Sequence, residues 1–187
     1  MSRLTIFKDN DTTIHEDFTL FQEIADRLEA IGVHFEQWQA NQPLSADAGQ
    51  EEVLAAYKED VERLNNHHGF TTVDVVALGP DHPQREEMRA KFLDEHTHAD
   101  FEIRFFVDGS GIFYLHTNDH VYAVLCEKGD LISVPANTTH WFDMGTRPNF
   151  KCIRFFTTPE GWVGNFTGSD IAAKFPSFDQ MTGVATA

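Results

Sequence analysis

Cysteine is scarce in this sequence of 187 residues. Its two cysteines, Cys126 and Cys152, do not belong to a Cys-x-x-Cys pair, and two cysteines cannot form a disulfide framework. The simplest interpretation is two buried thiols in a reducing compartment, and the sequence leaves a bridge between them open.

Basic side chains are also few, with 14 lysines and arginines against 30 acidic residues and a net charge of -16. A charge of this sign repels phosphate backbones and anionic membrane surfaces. We therefore expect neither nucleic acid nor a membrane as a partner. Solubility is a sufficient explanation of the acidity.

Long apolar runs are absent, both at the N-terminus, where a signal peptide would need one, and elsewhere at membrane-spanning length. Hydrophobic residues make up 41% and charged residues 24%, the balance of a globular protein. We expect a cytoplasmic protein, a monomer, and a single domain over residues 1–187.

The N-terminal pattern predicts a mostly helical flank over residues 1–94. Apolar residues recur at helical spacing over 17–31, and Gly32 is a typical C-terminal stop. Further helices are predicted over 50–65 and 84–92.

The remainder of the chain predicts short strands with turn signals between them, such as Asp108-Gly109. The predicted strands are 71–77, 101–107, 111–116, 120–126, 131–134, 140–143 and 150–157. Many short strands with regular turns favour a mainly β protein, with an antiparallel barrel or sandwich core over 95–166 and the helices beside it. The sequence does not distinguish between three structures for the tail, 167–187, which are a lid, a packed extension and disorder.

The densest chemical signal is a pair of histidines, His96 and His98, followed by Glu102. Even separations place side chains on one face of an extended chain, whereas on a helix the two histidines would lie about 200° apart. Arg104 has the same parity and would also point inward. Two imidazoles and a carboxylate suit Fe(II), Mn(II), Ni(II) or Zn(II), and the lack of thiolate argues against a closed structural zinc site. The alternative is a polar strand end at the surface.

A second segment, 129–140, reads as a turn, a buried strand, another turn and then His140. In a barrel this histidine could face the first cluster across the interior. The two segments resemble the two motifs of the cupin superfamily, the first ending at Gly109 and the second containing Pro135. The resemblance implies the double-stranded β-helix, or jelly-roll, form of the barrel.

Three positions depart from the cupin motifs. Ala90 and Asn137 stand where glycine is usual, and Met144 stands where asparagine is usual. These motif positions serve turns, so the departures concern local backbone and not metal ligation.

Within the cupins, residues 95–116 and 129–145 are most similar to the acireductone dioxygenase family of methionine salvage, and 150–162 continue the similarity. The resemblance implies one Fe(II) or Ni(II) ion per chain. It also implies the ligands, which would be His96, His98, Glu102 and His140.

The reaction implied by the resemblance joins O2 to an acireductone, 1,2-dihydroxy-3-keto-5-methylthiopentene. With Fe(II) the implied products are 2-oxo-4-methylthiobutanoate and formate. With Ni(II) they are 3-methylthiopropionate, formate and carbon monoxide.

Four further residues are candidates for substrate contact. Arg104 would stabilise the negative oxygen of the substrate, or it forms a salt bridge to Asp94, Asp100 or another acid. Phe105, Phe142 and Trp162 are candidates for an apolar pocket around the thioether, although most aromatic residues in such a region belong to the core.

Two other functions remain open. One is a different cupin enzyme with the same ligands, such as a flavonol dioxygenase or a sugar-phosphate isomerase, and the few basic residues in 95–145 weigh against a phosphate site. The other is a non-catalytic cupin that binds a small molecule or a structural metal. The complete ligand set speaks against that interpretation.

Overall fold

The computed structural model describes residues 1–183. The strands are β1 (Arg3–Lys8), β2 (Asp11–Phe18), β3 (His34–Gln37), β4 (Thr72–Leu78), β5 (His96–Thr97), β6 (Glu102–Thr117), β7 (His120–Glu127), β8 (Asp130–Val134), β9 (Thr139–Asp143), β10 (Phe150–Phe156) and β11 (Asn165–Phe166). The helices are α1 (Phe21–Glu29), α2 (Gln50–Ala56), α3 (Lys58–His68), α4 (Arg85–Leu93) and α5 (Phe178–Thr182), with a 3-10 turn at Ile171–Lys174.

One long strand, β6, organises the molecule. Its first part pairs antiparallel with β8 and β10, and its second part pairs with β7 and β9. The sheet therefore folds over on itself around an apolar interior that contains Phe106, Phe113 and Phe142. This arrangement confirms the mainly β architecture with a few helices.

The outer face of the first half of β6 is also buried. Ile103, Phe105 and Val107 point away from the interior and pack against Trp38 and Tyr57 from the N-terminal segment. Because both faces of the strand are covered, residues Glu102–Val107 are buried without alternation. Glu102, one of the predicted ligands, thus lies on a strand that is supported from both sides.

The helical flank predicted over residues 1–94 is only partly helical. It begins with the β1–β2 hairpin, which pairs with β7, and it also contains β3 and β4. β2 is largely exposed and so has no apolar alternation to identify it. The helix predicted over 17–31 begins only at Phe21, and the one predicted over 50–65 is interrupted at the buried Tyr57.

The turn predicted at Asp108-Gly109 is also wrong, because β6 runs through it. Opposite this point the pairing register shifts between Lys151 and Cys152, which marks a β-bulge. Gly109 has a φ of 70°, and a Cβ there would lie 1.9 Å from the Asn149 carbonyl oxygen. The glycine therefore allows one strand to bend between the two layers where a hairpin was expected.

The tail is a packed extension over its described part. Ile171 and Phe175 pack with Trp141 and Tyr114, and the Phe178 amide donates to the Asp143 carboxylate at 2.8 Å. Residues 184–187 of the predicted tail lie outside the described residues.

Both cysteines are buried free thiols. Within residues 1–183, none of the helices has the length and hydropathy that spanning a bilayer requires.

Candidate metal centre

Pairing between strands brings the two sequence segments together. His96 on β5 is paired with His140 on β9, so the two segments meet across one ladder. The prediction that even separations place side chains on one face is confirmed for His96 and His98. The chain then bends over 99–100 before Glu102 begins β6. Glu102 therefore approaches the histidines from a second strand and not from the same face of one continuous strand.

The predicted ligand residues converge on one point. One donor atom from each of His96, His98, Glu102 and His140 lies within 4.8 Å of the others, and each residue is at most 7% exposed. The Oε2 atom of Glu102 lies 2.7 Å from His140 Nε2 and 3.3 Å from His98 Nε2. Its other oxygen, Oε1, points instead to Arg104 at 2.5 Å.

Each histidine is held in one tautomer by a backbone carbonyl. His96 Nδ1 donates to Asp94 at 2.7 Å, His98 Nδ1 to Val163 at 2.9 Å, and His140 Nδ1 to Thr138 at 2.7 Å. A carbonyl oxygen can only accept, so the proton of each neutral ring resides on Nδ1. The lone pair of each Nε2 is then free to bind a cation.

The chemistry of this donor set fits a metal ion. Three unprotonated Nε2 atoms and one carboxylate oxygen are all acceptors, and the 2.7 Å between Glu102 Oε2 and His140 Nε2 requires a shared positive charge. A proton or a metal cation can provide that charge. Imidazole and carboxylate without thiolate suit a first-row divalent ion.

The environment also shifts the pKa of three of these groups. Burial and the charge of His140 lower the pKa of His96 to about 4. Burial would also lower the pKa of His98, but the hydrogen bond and charge of Glu102 outweigh burial and raise it. For Glu102, burial would raise the pKa, but Arg104 and the two histidine contacts hold it well below its usual value.

Arg104 is a buried cation, 3% exposed, directly behind the centre. The sequence left open a salt bridge to Asp94, Asp100 or another acid, and the guanidinium bonds to another acid, Glu102. It is also enclosed by aromatic rings, with Phe142 at 4.6 Å, Phe113 at 5.1 Å and Phe92 at 5.4 Å. Within residues 1–183 its Nε atom has no hydrogen-bond partner.

A largely apolar cavity of about 300 Å³ opens beside His96 and His98. Its wall includes the predicted Trp162 and three residues that the sequence did not identify, which are Phe92, Val163 and Phe166. Phe166 is brought there by the two-residue strand β11, and a strand this short has no periodicity to detect.

The structure does not place the other two predicted pocket residues in this wall. Phe105 points to the opposite face of β6 from Arg104, where its ring lies 4.7 Å from the Trp38 ring in a tilted arrangement. Strand alternation makes this unavoidable, since neighbouring residues face opposite sides. Phe142 lies on the correct side but is 1% exposed, beneath the Arg104 guanidinium.

Comparison with known proteins agrees with this geometry. The model of the ARD/ARD' family matches residues 3–164. The chain belongs to this family. The acireductone dioxygenase of Aquifex aeolicus is 57% identical to it over 181 residues, which cover 97% of this chain and 98% of the relative. That of Methylococcus capsulatus is 58% identical over 179 residues, which cover 96% of each.

A solved structure of a related protein shows the same fold. It is an acireductone dioxygenase from Bacillus anthracis with a cadmium ion in its active centre, 31% identical to this chain, with a TM-score of 0.77. The match covers 89% of this chain and 98% of the other. The family resemblance and the mainly β cupin fold are thus confirmed, and a metal cofactor is supported.

Proposed function

We propose that this ARD/ARD' family member is an acireductone dioxygenase that acts in methionine salvage. The substrate is 1,2-dihydroxy-3-keto-5-methylthiopentene, which reacts with O2. The observation that carries the proposal is the buried, acceptor-only group of His96, His98, Glu102 and His140, within a chain 57% identical to a named acireductone dioxygenase.

The proposed ion, Fe(II) or Ni(II), would be held by the three Nε2 atoms and Glu102 Oε2. Only one oxygen of Glu102 faces the centre, since Arg104 holds the other at 2.5 Å. Four ligand atoms from the protein would leave room on the ion for a chelating substrate. The bound ion would supply the binding site for the ionised enediol and the redox chemistry with O2.

The residues of the chain itself orient the substrate and exclude water. The apolar cavity beside His96 suits the methylthio side chain, because Phe92, Trp162 and Phe166 present aromatic surface there. The reacting end of the substrate would then point toward the histidines, and the thioether would lie against the rings.

The remaining expectations extend this proposal. Residues 1–187 would act as a single cytoplasmic, monomeric domain, and the participation of β1 to β11 in one sheet supports the single domain. The substrate is a small molecule, so the proposal requires no nucleic acid or membrane partner.

Product analysis tests the proposed function directly. The purified protein is stripped of metal, loaded with Fe(II) or Ni(II), and given acireductone and O2. We expect 2-oxo-4-methylthiobutanoate and formate with Fe(II), and 3-methylthiopropionate, formate and carbon monoxide with Ni(II). His140→Ala is the control for a damaged centre. No faster loss of acireductone than in this control, with either ion, would refute the proposal.

Arg104 has two proposed roles that one substitution can separate. Its bond to Glu102 would orient a ligand, and its position directly behind the centre would bring the cation near the substrate anion. Arg104→Ala should lower kcat/KM by about 100-fold, equivalent to about 2.7 kcal/mol. If Ni(II) affinity stays unchanged in this variant, the role is toward substrate; if affinity falls equally, the role is toward Glu102. Unchanged kcat/KM would remove Arg104 from the mechanism.

A further inference from the structure

The wall segment, defined as residues 157–167, carries contacts to both histidines of the first motif. The Val163 carbonyl accepts the Nδ1 proton of His98 at 2.9 Å. A Cβ on Gly164 would lie 3.4 Å from the His96 ring, so the backbone of the wall segment packs directly on that imidazole. Trp162, between Gly161 and Val163, forms part of the cavity wall.

Two buried carboxylates on either side of the His96-Thr97-His98 motif hold the two ends of the wall segment. At its far end, Glu95 accepts two hydrogen bonds from Thr167. The Thr167 amide donates to the Glu95 backbone carbonyl at 3.0 Å, and the Thr167 hydroxyl donates to Glu95 Oε2 at 2.7 Å. At its near end, Asp100 binds the first two residues of the segment. The chain that supplies the histidines therefore also anchors the loop that covers them.

Asp100 makes an unusually complete set of contacts for one carboxylate. Its Oδ2 accepts the amides of Thr157 at 2.6 Å and Thr158 at 3.0 Å, and its Oδ1 accepts the Thr157 hydroxyl at 2.7 Å. Asp100 is 6% exposed, so solvent competes little for these bonds. A Cβ on Gly161 would lie 2.7 Å from Asp100 Oδ2, which shows how tightly the segment wraps around this side chain.

Besides the contacts to Asp100, the start of the wall segment is held by the hydrogen bond from the Thr71 hydroxyl to the Thr157 carbonyl at 2.9 Å. Between Thr158 and Val163 the backbone bonds are two short turns, Gly161 to Thr158 at 3.2 Å and Val163 to Glu160 at 3.0 Å. Such local turns do not tie the segment to the barrel. The position of the Val163 carbonyl therefore depends on the contacts of Asp100 and Thr71 at one end and on the β5–β11 pairing at the other.

We propose that Asp100 is a positioning residue of the metal centre, which acts through the wall segment and not by ligation. It fixes Thr157 and Thr158, and through them the Val163 carbonyl that orients His98 and the indole of Trp162 that lines the cavity. The inference rests on the proposed function, since it concerns the same metal ligands.

Asp100→Ala tests this role, with two measurements that need no substrate. Hydrogen exchange followed by mass spectrometry, at saturating Ni(II), should show the peptide over 157–164 exchanging about tenfold faster, because two amides lose a charged acceptor. Ni(II) affinity, measured by competition with a chelator, should fall about tenfold, as expected when the partner of a ligating histidine is disturbed.

Two further variants make the result decisive. Asp17→Ala is the matched control, because Asp17 also accepts three side-chain hydrogen bonds, from Arg3 and Thr5, but lies on the distant β1–β2 hairpin. It should leave wall-segment exchange and Ni(II) affinity unchanged. Thr157→Val removes only the hydroxyl bond to Asp100, and should change both measurements in the same direction but less. If Asp100→Ala does not fold, Thr157→Val decides the question.

The outcomes separate this inference from the proposed function. Wild-type exchange and wild-type Ni(II) affinity in folded Asp100→Ala would overturn it, as would equal changes in Asp17→Ala. A protein that is merely destabilised would melt earlier and exchange faster in every segment, including β1–β2. If the wild-type enzyme fails to consume acireductone while Asp100→Ala still loosens the wall segment and loses Ni(II), the proposed function fails and the positioning role stands.

Discussion

At the scale of single residues, Glu102 uses its two carboxylate oxygens for different partners. Oε2 faces His98 and His140, and Oε1 forms an ion pair with Arg104 at 2.5 Å. Both members of that ion pair are at most 4% exposed, so neither has water available as a substitute partner. Glu102 should therefore support the fold even when no metal is bound.

We expect Glu102→Gln to destabilise the metal-free protein by about 3 kcal/mol, because it leaves Arg104 as a buried charge without its carboxylate. The measurement is urea unfolding in the presence of a chelator. His96→Gln removes a ligand but leaves the Glu102–Arg104 pair, so it should cost only about 1 kcal/mol. Equal losses in the two variants would contradict a separate structural role for Glu102.

The sequence identified functional residues that lie close together along the chain. Spacing alone did not identify residues whose partners are far away along the chain. His96, His98 and Glu102 could be grouped because they are close along the chain. His140 required a family resemblance, because only the β5–β9 pairing brings it near. The anchoring role of Asp100 has no sequence signal, since its partners lie 57 and 58 positions away.

At the scale of elements, the bulge in β6 joins the two layers. Gly109 sits there with positive φ, and a Cβ would meet the Asn149 backbone, which cannot move aside like a flexible side chain. Residues 103–105 and 112–116 of the same strand therefore belong to different pairings on either side of this point.

Gly109→Ala should lower the free energy of unfolding by about 3 kcal/mol, from backbone strain together with the collision. Gly79→Ala is the matched control, because φ is not positive there and no described atom lies within 4 Å of the added Cβ. It should change stability by less than about 0.5 kcal/mol. Chemical denaturation of both variants measures the difference, and similar values would refute the strain argument.

Sequence patterns located the strands β7 to β10 to within about two residues, because apolar stretches and turn residues mark them. They missed β1 and β2, which pair at the sheet edge and leave one strand exposed. They also divided β6 at Asp108-Gly109, since a glycine turn and a glycine bulge have the same composition. Only the long-range pairing partners distinguish these two structures.

At the scale of the whole molecule, metal binding and folding should be coupled. The ligands come from three strands, β5, β6 and β9, with His98 just after β5, so an unfolded chain cannot present them together. Ni(II) held at 100 times its Kd should raise the free energy of unfolding by about 2.7 kcal/mol. Urea unfolding with and without Ni(II) measures the gain, which should vanish in His140→Ala. A gain of the same size in that variant would place the stabilising metal elsewhere.

The order of the segments along the chain has a consequence for biogenesis. His140 follows His96 by more than forty positions, and the Val163 carbonyl that orients His98 comes later still. A nascent chain on the ribosome lacks part of the ligand set until residue 140 has emerged, and lacks the support of His98 until β11 has paired with β5. Such distant pairings form late in folding. Metal acquisition should therefore be post-translational, at a stage when the barrel has already closed.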